Sequence, residues 1–148
     1  MCRVPAPQAA QLLADEPVAS ALRAVDFAPC WALMLDFDDA LDLDFDGAFV
    51  NVGPLSWLAR DSSKPGRPAG ERWIVHAGSE YSRAHLESDV TAVGPQLLHE
   101  FFAAIGVPMQ QPRLSTVHRW RYALALIVVQ LNGQPPRIVD AIQQRDAR

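Results

Sequence analysis

The chain has 148 residues and a mass of 16.3 kDa, which is the size of one ordinary domain. Hydrophobic residues make up 49% and charged residues 20%, a balance that excludes the disordered and fibrous classes. The net charge of −4 argues against general binding to nucleic acid or to an anionic membrane surface.

Neither a leader nor a membrane-spanning segment is indicated by the sequence. The first residues are followed by proline and glutamine rather than by an apolar stretch. The longest apolar run, residues 122–129, falls well short of the roughly 20 residues that a spanning helix needs. Cys2 and Cys30 are too few for a disulfide framework or a four-thiolate zinc site. These observations predict a soluble cytoplasmic domain.

In chain order, the first predicted element is helix in two pieces between residues 6 and 24. Glu16-Pro17 interrupts it, because proline disfavours helix at the residue before it. Runs of apolar residues then predict four short strands, at residues 30–35, 48–52, 55–59 and 73–77. The second of these follows a polar, acidic loop at 36–47, and a loop rich in proline and glycine at 61–70 precedes the last.

The second half of the chain begins with a long helix, predicted over residues 88–105 although Gly94-Pro95 weakens its first turns. Residues 113–129 read as a long final strand, and Asn132-Gly133 with Pro135-Pro136 breaks the chain before a polar tail. The predicted fold class is therefore α+β, a mostly antiparallel sheet of four to five strands with helices packed on one side.

The acidic loop contains Asp42-Leu43-Asp44-Phe45-Asp46-Gly47, which matches the first six positions of a calcium-binding EF-hand loop. The twelfth position, where a bidentate glutamate should complete the ligand shell, is Gly53. A solvated acidic loop between two strands is the favoured interpretation. The histidines and cysteines show no zinc-ligand spacing, so no metal site is predicted.

Two segments are candidates for binding a ligand. Trp57 leads from a strand into a loop that carries Arg60, Lys64 and Arg67, which could face a phosphate or a carboxylate. The alternative is a solvated turn whose bases pair with the preceding aspartates.

On the last strand, alternation puts His118, Trp120 and Tyr122 on one face, where they could stack on a planar ligand and offer one titratable donor. The alternative is an aromatic patch in the core with a hydrogen-bonded histidine.

Five segments occur together in one order along the chain. They are 4–13 (VPAPQAAQLL), 29–34 (PCWALM), 54–67 (PLSWLARDSSKPGR), 73–77 (WIVHA) and 118–123 (HRWRYA). Taken together they resemble the bacterial renalase-like proteins, FAD-dependent oxidoreductases often described as amine oxidases. The resemblance covers residues 4–125, and residues 126–148 form a divergent tail with no recognisable domain.

The resemblance implies that residues 4–125 are the substrate domain of a two-domain flavoenzyme, whose sheet covers the isoalloxazine ring of FAD. A dihydronicotinamide or amine-type substrate passes hydride to the flavin, which molecular oxygen then reoxidises. His118 takes the catalytic position in this scheme. The residues that face substrate or flavin are Trp57, Arg60, Asp61, Ser63, Lys64, Arg67, Trp120 and Tyr122, with Asp61 standing where some members are expected to carry an amide.

The family holds FAD in a Rossmann-type domain with a glycine-rich turn, and no such motif occurs in this sequence. The chain is therefore expected to be a middle piece of such an enzyme, to lack catalysis alone and to need a separate FAD domain or a second copy as partner. The exposed sheet face is expected to make it self-associate. The alternative function is a stand-alone ligand-binding or protein-interaction module without flavin.

Overall fold

The computed structural model describes residues 4–50, 53–129 and 137–140 of the chain. It divides into two compact units, one formed by residues 29–120 and the other by residues 1–28 together with 121–148. Among the residues that the structure describes, no helix is long and apolar enough to cross a membrane.

The described residues form four α-helices, one 3₁₀ helix and six strands. The α-helices of the described residues are α1 (Ala6–Leu12), α2 (Val18–Arg23), α3 (Ser79–Ala84) and α4 (Val90–Ile105), and a short 3₁₀ helix spans Asp61–Ser63. The strands are β1 (Asp26–Phe37), β2 (Gly47–Phe49), β3 (Leu55–Arg60), β4 (Glu71–Ala77), β5 (Leu114–Val129) and β6 (Arg137–Asp140).

The sheet of the unit 29–120 has the strand order β2-β3-β4-β1-β5. The pairs β2–β3, β3–β4 and β4–β1 are antiparallel. In the other unit, β6 pairs antiparallel with the last four residues of β5, from Leu126↔Asp140 to Val129↔Arg137. The prediction of an α+β fold with an antiparallel sheet is confirmed.

One face of this sheet carries the core, because strand residues alternate between the two faces. The core-facing side chains of β1 and β4 include Trp31, Leu33, Trp73 and Val75, all buried. Helix α4 packs against them through apolar residues at helical spacing such as Phe101. The helix therefore covers one face of the sheet. The side chains on the opposite face are not covered by α4.

Helix α4 begins at Val90, two residues after the predicted start, and Asp89 is its N-cap. The Asp89 carboxylate accepts a hydrogen bond of 2.8 Å from the backbone N–H of Thr91. Pro95 lies inside the helix, and Gly106, with a φ of 72°, ends it in the left-handed conformation.

At Gly94 helix α4 lies close to Val117 of β5, and we predict that the sign of the stability change on replacing Gly94 depends on Val117. A Cβ atom at Gly94 would lie 2.9 Å from Cγ2 of Val117. Gly94→Ala should therefore lower the free energy of unfolding by about 1 kcal/mol, since overpacking outweighs the helix propensity of alanine. In a Val117→Ala background the same change should raise it by up to about 1 kcal/mol. Chemical denaturation of the four proteins measures both effects, and the same sign in both backgrounds would contradict the close approach.

Several elements differ from the sequence prediction because pairing with distant residues decides them. β1 is twelve residues long and runs through Pro29, whereas a strand over 30–35 was expected. β2 ends at Phe49, and residues 51–52 of the predicted strand lie outside the described residues. Residues 137–140, within the predicted polar tail, form β6. The helix α3 and the 3₁₀ helix were not predicted. The extent of the resemblance over 4–125 stays a prediction.

Candidate ligand-binding face

The sheet face opposite α4 carries a row of side chains across β2, β3, β4 and β1. On β4 the core-facing residues are Trp73, Val75 and Ala77, so alternation puts His76 on the opposite face. The register pairs His76 with Trp57 of β3 on one side and with Ala32 of β1 on the other. These side chains lie on the face that α4 does not cover.

Strand β5 continues this face. Val117 packs against the core cluster, and the Arg119 guanidinium lies 5.5 Å from the ring centroid of the buried Trp31. Since these odd-numbered residues point toward the core, His118 and Trp120 lie on the opposite side. We call this surface the open face, formed by Ala32, Met34, Phe49, Trp57, Ile74, His76, His118 and Trp120.

Aromatic pairs stand at both ends of the open face, and much of their surface is accessible to solvent. The rings of Phe49 and Trp57 lie 4.6 Å apart, and those of His118 and Trp120 lie 4.3 Å apart. Phe49 is 72% exposed, Trp120 54% and Met34 37%. The interpretation of His118 and Trp120 as part of a core patch does not hold, because neither is buried. Exposed aromatic residues in this number are typical of a binding surface.

The loop that follows β3 satisfies most of its charges internally. Asp61 accepts a hydrogen bond of 2.8 Å from Lys64 Nζ and lies 3.5 Å from Arg67 Nε. The hydrogen bond from Lys64 is the largest cause that holds the pKa of Asp61 below its usual value. Ser63 donates to the backbone oxygen of Arg60. Lys64 and Arg67 remain exposed, so they can meet an anion only in competition with Asp61.

Arg60 lies on the core side of β3 rather than at the margin of a pocket. Its guanidinium lies 3.5 Å from a carboxylate oxygen of the buried Glu71 and 3.3 Å from one of Asp46. It also donates to the backbone oxygen of Leu43 and lies 5.0 Å from the centroid of the Trp73 ring. This arrangement matches the alternative in which the base pairs with a preceding aspartate.

Tyr122 lies in the unit that contains residues 121–148, where its ring makes an edge contact with Phe27 at 6.0 Å. The acidic loop behaves as a structural loop: Leu41 is buried, and Leu43 and Phe45 pack against the core. Within the described part of the chain, no group of three His, Cys, Asp or Glu side chains is arranged to hold a metal ion.

His76 was not among the candidates from sequence, although it is near the middle of the open face. The sequence does indicate the position of His76: in the strand WIVHA, alternation places it on the face opposite Trp73 and Val75. Burial lowers the pKa of His76 below 6.5, and the positive charge of Lys64 lowers it further. The imidazole is therefore neutral at neutral pH, with one nitrogen as donor and the other as acceptor.

This lowered pKa predicts a pH dependence of stability. Below pH 6.5 the unfolded chain binds a proton at His76 that the folded chain binds less readily, so acid favours unfolding. We expect the free energy of unfolding of the wild type to fall more steeply than that of His76→Gln as the pH drops below this value. Denaturation at a series of pH values measures the difference. His99→Gln, at an exposed position on α4, should keep the wild-type slope, and equal slopes for His76→Gln and the wild type would contradict the assignment.

The described residues do not fit the dinucleotide part of FAD. A pyrophosphate is bound by a glycine-rich turn at the positive N-terminus of a helix. Here β4 reaches α3 through Gly78 alone, and Glu80 lies in the first turn of that helix. Helix α4 is capped at its N-terminus by Asp89, whose carboxylate stands where an anion would have to lie.

No protein-family model matches this sequence. Among solved structures, the crystal structure named "Putative protoporphyrinogen oxidase from Exiguobacterium sp. 255-15" is similar over 82% of this chain, with a TM-score of 0.67 and 16% sequence identity. The chain shares its fold with part of that protein. The similarity covers 28% of the Exiguobacterium protein, so this chain spans less than a third of its length.

Proposed function

We propose that this chain is the substrate-domain portion of an FAD-dependent oxidoreductase of the renalase-like type, and that its open face covers a planar ring. The observation that carries the proposal is the uncovered sheet face with an aromatic pair at each end. Two further observations support it. The ordered sequence motifs resemble renalase-like proteins, and the fold is similar to part of a protein named as an oxidase.

In this proposal the residues of the open face bind and orient rather than carry electrons. Trp57 and Trp120 stack on ring surfaces, and His118 offers a titratable group to the ring edge. Lys64 and Arg67, in the loop that follows the strand of Trp57, bind an anionic group of the ligand in place of their ion pairs with Asp61. Arg60 stabilises the strand that carries Trp57.

The reaction is proposed as oxidation of a dihydronicotinamide or amine-type substrate, in which FAD accepts a hydride and passes the electrons to oxygen. Because the described residues do not fit the pyrophosphate of FAD, the cofactor would be held by a dinucleotide-binding domain that packs against the open face. That domain is the partner proposed for this chain, with the small-molecule substrate bound between the two.

Titration of the purified chain with flavins tests the proposal. If the ring contacts the open face, FAD and riboflavin should both bind, weakly and with similar affinity, as followed by flavin absorption and fluorescence. AMP, which has the adenine and a phosphate but no flavin, should neither bind nor compete. Trp57→Ala should weaken binding about tenfold, since a stacked aromatic pair and its buried area are lost.

Met109→Ala is the matched control, because Met109 is an exposed apolar residue outside the open face. It should leave flavin binding unchanged. No saturable change with either flavin would overturn the proposal and would favour the alternative, a stand-alone ligand-binding or protein-interaction module.

A further inference from the structure

His76 and His118 lie in one row across the open face. The strand registers align Phe49 with Trp57, Trp57 with His76, and His76 with Ala32. The row therefore crosses β2, β3, β4 and β1 at one level, and β5 is the next strand.

Two side-chain contacts give the direction and the approximate level of β5 against β1. The Arg119 guanidinium lies over the ring of Trp31, and Arg113, just before β5, forms an ion pair with Asp36. Residue numbers therefore rise along β5 as they fall along β1, so the strands are antiparallel and residue 118 lies close to the level of residue 32. His118 thus continues the row, and the two histidines flank Ala32.

The side chain between the two histidines is small, so it does not separate them. Strands lie about 4.8 Å apart, which puts the backbones of β4 and β5 about 10 Å from each other. Ala32 is buried, so its methyl group offers a ligand little surface. A ligand bound along this row would therefore contact the two imidazoles rather than Ala32.

The imidazole nitrogens of the two residues have no hydrogen-bond partner within the described part of the chain. The ring contact of His118 is with Trp120, and the groups next to His76 are Trp57, Ala32 and the charge of Lys64. His76 is half-buried and His118 is exposed, so solvent serves their ring nitrogens until a ligand with matching groups replaces it. Each imidazole also has an aromatic neighbour that could stack on the same ligand.

We propose that His76 and His118 form a pair that hydrogen-bonds the edge of a planar heteroaromatic ligand stacked on the open face. His76 is the positioning residue, and a neutral imidazole, with one donor and one acceptor, suits an amide-like ligand edge. This inference rests on the proposed function, because it names how the same face recognises its ligand. It adds a residue that the sequence motifs did not single out.

Riboflavin is the probe, because its planar ring has an amide-like edge and its binding is followed by fluorescence. In nitrogen-resolved NMR of the histidine rings of the full chain, riboflavin should shift the signals of His76 and His118 with one common dissociation constant. The signals of His85 and His99, which lie on or next to the helices α3 and α4, should stay in place.

Substitution separates hydrogen bonding from folding. His76→Leu should raise the dissociation constant of riboflavin about tenfold or more, while His76→Gln, which keeps a donor and an acceptor, should restore most of the affinity. His99→Leu is the control and should match the wild type. Unfolding curves of each variant confirm that the folded protein is being compared.

The outcomes distinguish this inference from the function on which it rests. Saturable riboflavin binding that leaves the His76 signal unmoved, or an unchanged affinity in His76→Leu, would overturn the pair and leave the proposed function standing. Equal losses in His76→Leu and His76→Gln would also overturn it, because the hydrogen-bonding role would be absent. Absence of riboflavin binding by the wild type would overturn both.

Discussion

Replacing Arg60 by alanine is expected to lower the free energy of unfolding by about 3 kcal/mol. Glu71 is only 7% exposed, and its carboxylate accepts a hydrogen bond of 2.7 Å from Trp73 Nε1 in addition to its ion pair with Arg60. Without the guanidinium this buried carboxylate has lost its counter-charge. The expected loss is at the lower end for a buried ion pair because the Arg60 side chain is 21% exposed.

A second substitution tests the cause of this loss. Glu71→Gln removes the charge and keeps an acceptor for Trp73, so Arg60→Ala should cost clearly less in a Glu71→Gln background. Arg67→Ala, in the exposed part of the same loop, should change the free energy of unfolding by no more than about 0.5 kcal/mol. Urea denaturation of the wild type and the four variants measures these values. Equal effects of Arg60→Ala and Arg67→Ala would contradict a structural role for Arg60.

The result bears on function as well as on stability. If Arg60 stabilises the strand as expected, a loss of ligand binding in Arg60→Ala reports damage to the fold rather than loss of an anion contact. Lys64 and Arg67 would then be the bases of this loop that remain available to a ligand.

The second large effect is expected on self-association, which we predict to occur through the open face. Phe49 and Trp120 are the two most exposed aromatic residues of that face, and each has a large apolar surface to bury. Phe49→Ser combined with Trp120→Ser should weaken association about 100-fold, about tenfold for each aromatic anchor removed. Sedimentation velocity over a range of protein concentrations measures the change.

Met109→Ser is the control for this experiment. Met109 is 50% exposed, and it lies on the segment between α4 and β5 rather than on the open face. Its substitution should leave the association constant unchanged. A wild-type chain that stays a monodisperse monomer at every concentration would contradict the prediction.

The effect of flavin on association links this prediction to the proposed function. A ligand stacked on the open face and a second copy packed on it compete for the same aromatic side chains. Riboflavin should therefore shift the wild type toward monomer, and it should have no such effect on the doubly substituted chain.

Local sequence indicated most of the helices and strands and the two-sided character of the strands, whereas pairing set the ends of β1 and β2. In the strand WIVHA the apolar residues Trp73 and Val75 alternate with His76, and this period of two separates the core from the open face wherever the strand pairs. The helical spacing of α4, with Phe101 on its apolar face, was equally readable, and so was the placement of His118 and Arg119 on opposite faces of their strand. Periodicity is a local property, so the sequence by itself reveals it.

Only the tertiary structure decided which distant residues meet. A register shift between Leu55 and Trp57 turns Leu55 into the core while Trp57 stays on the open face, and a six-residue strand gives no local sign of it. The row of His76, Ala32 and His118 depends on the strand order β4-β1-β5, since these residues are far apart along the chain. The partners of a charged side chain are set in the same way. Strand pairing and charge pairing are non-local, which is why the sequence determined the faces of the sheet and the tertiary structure determined the site.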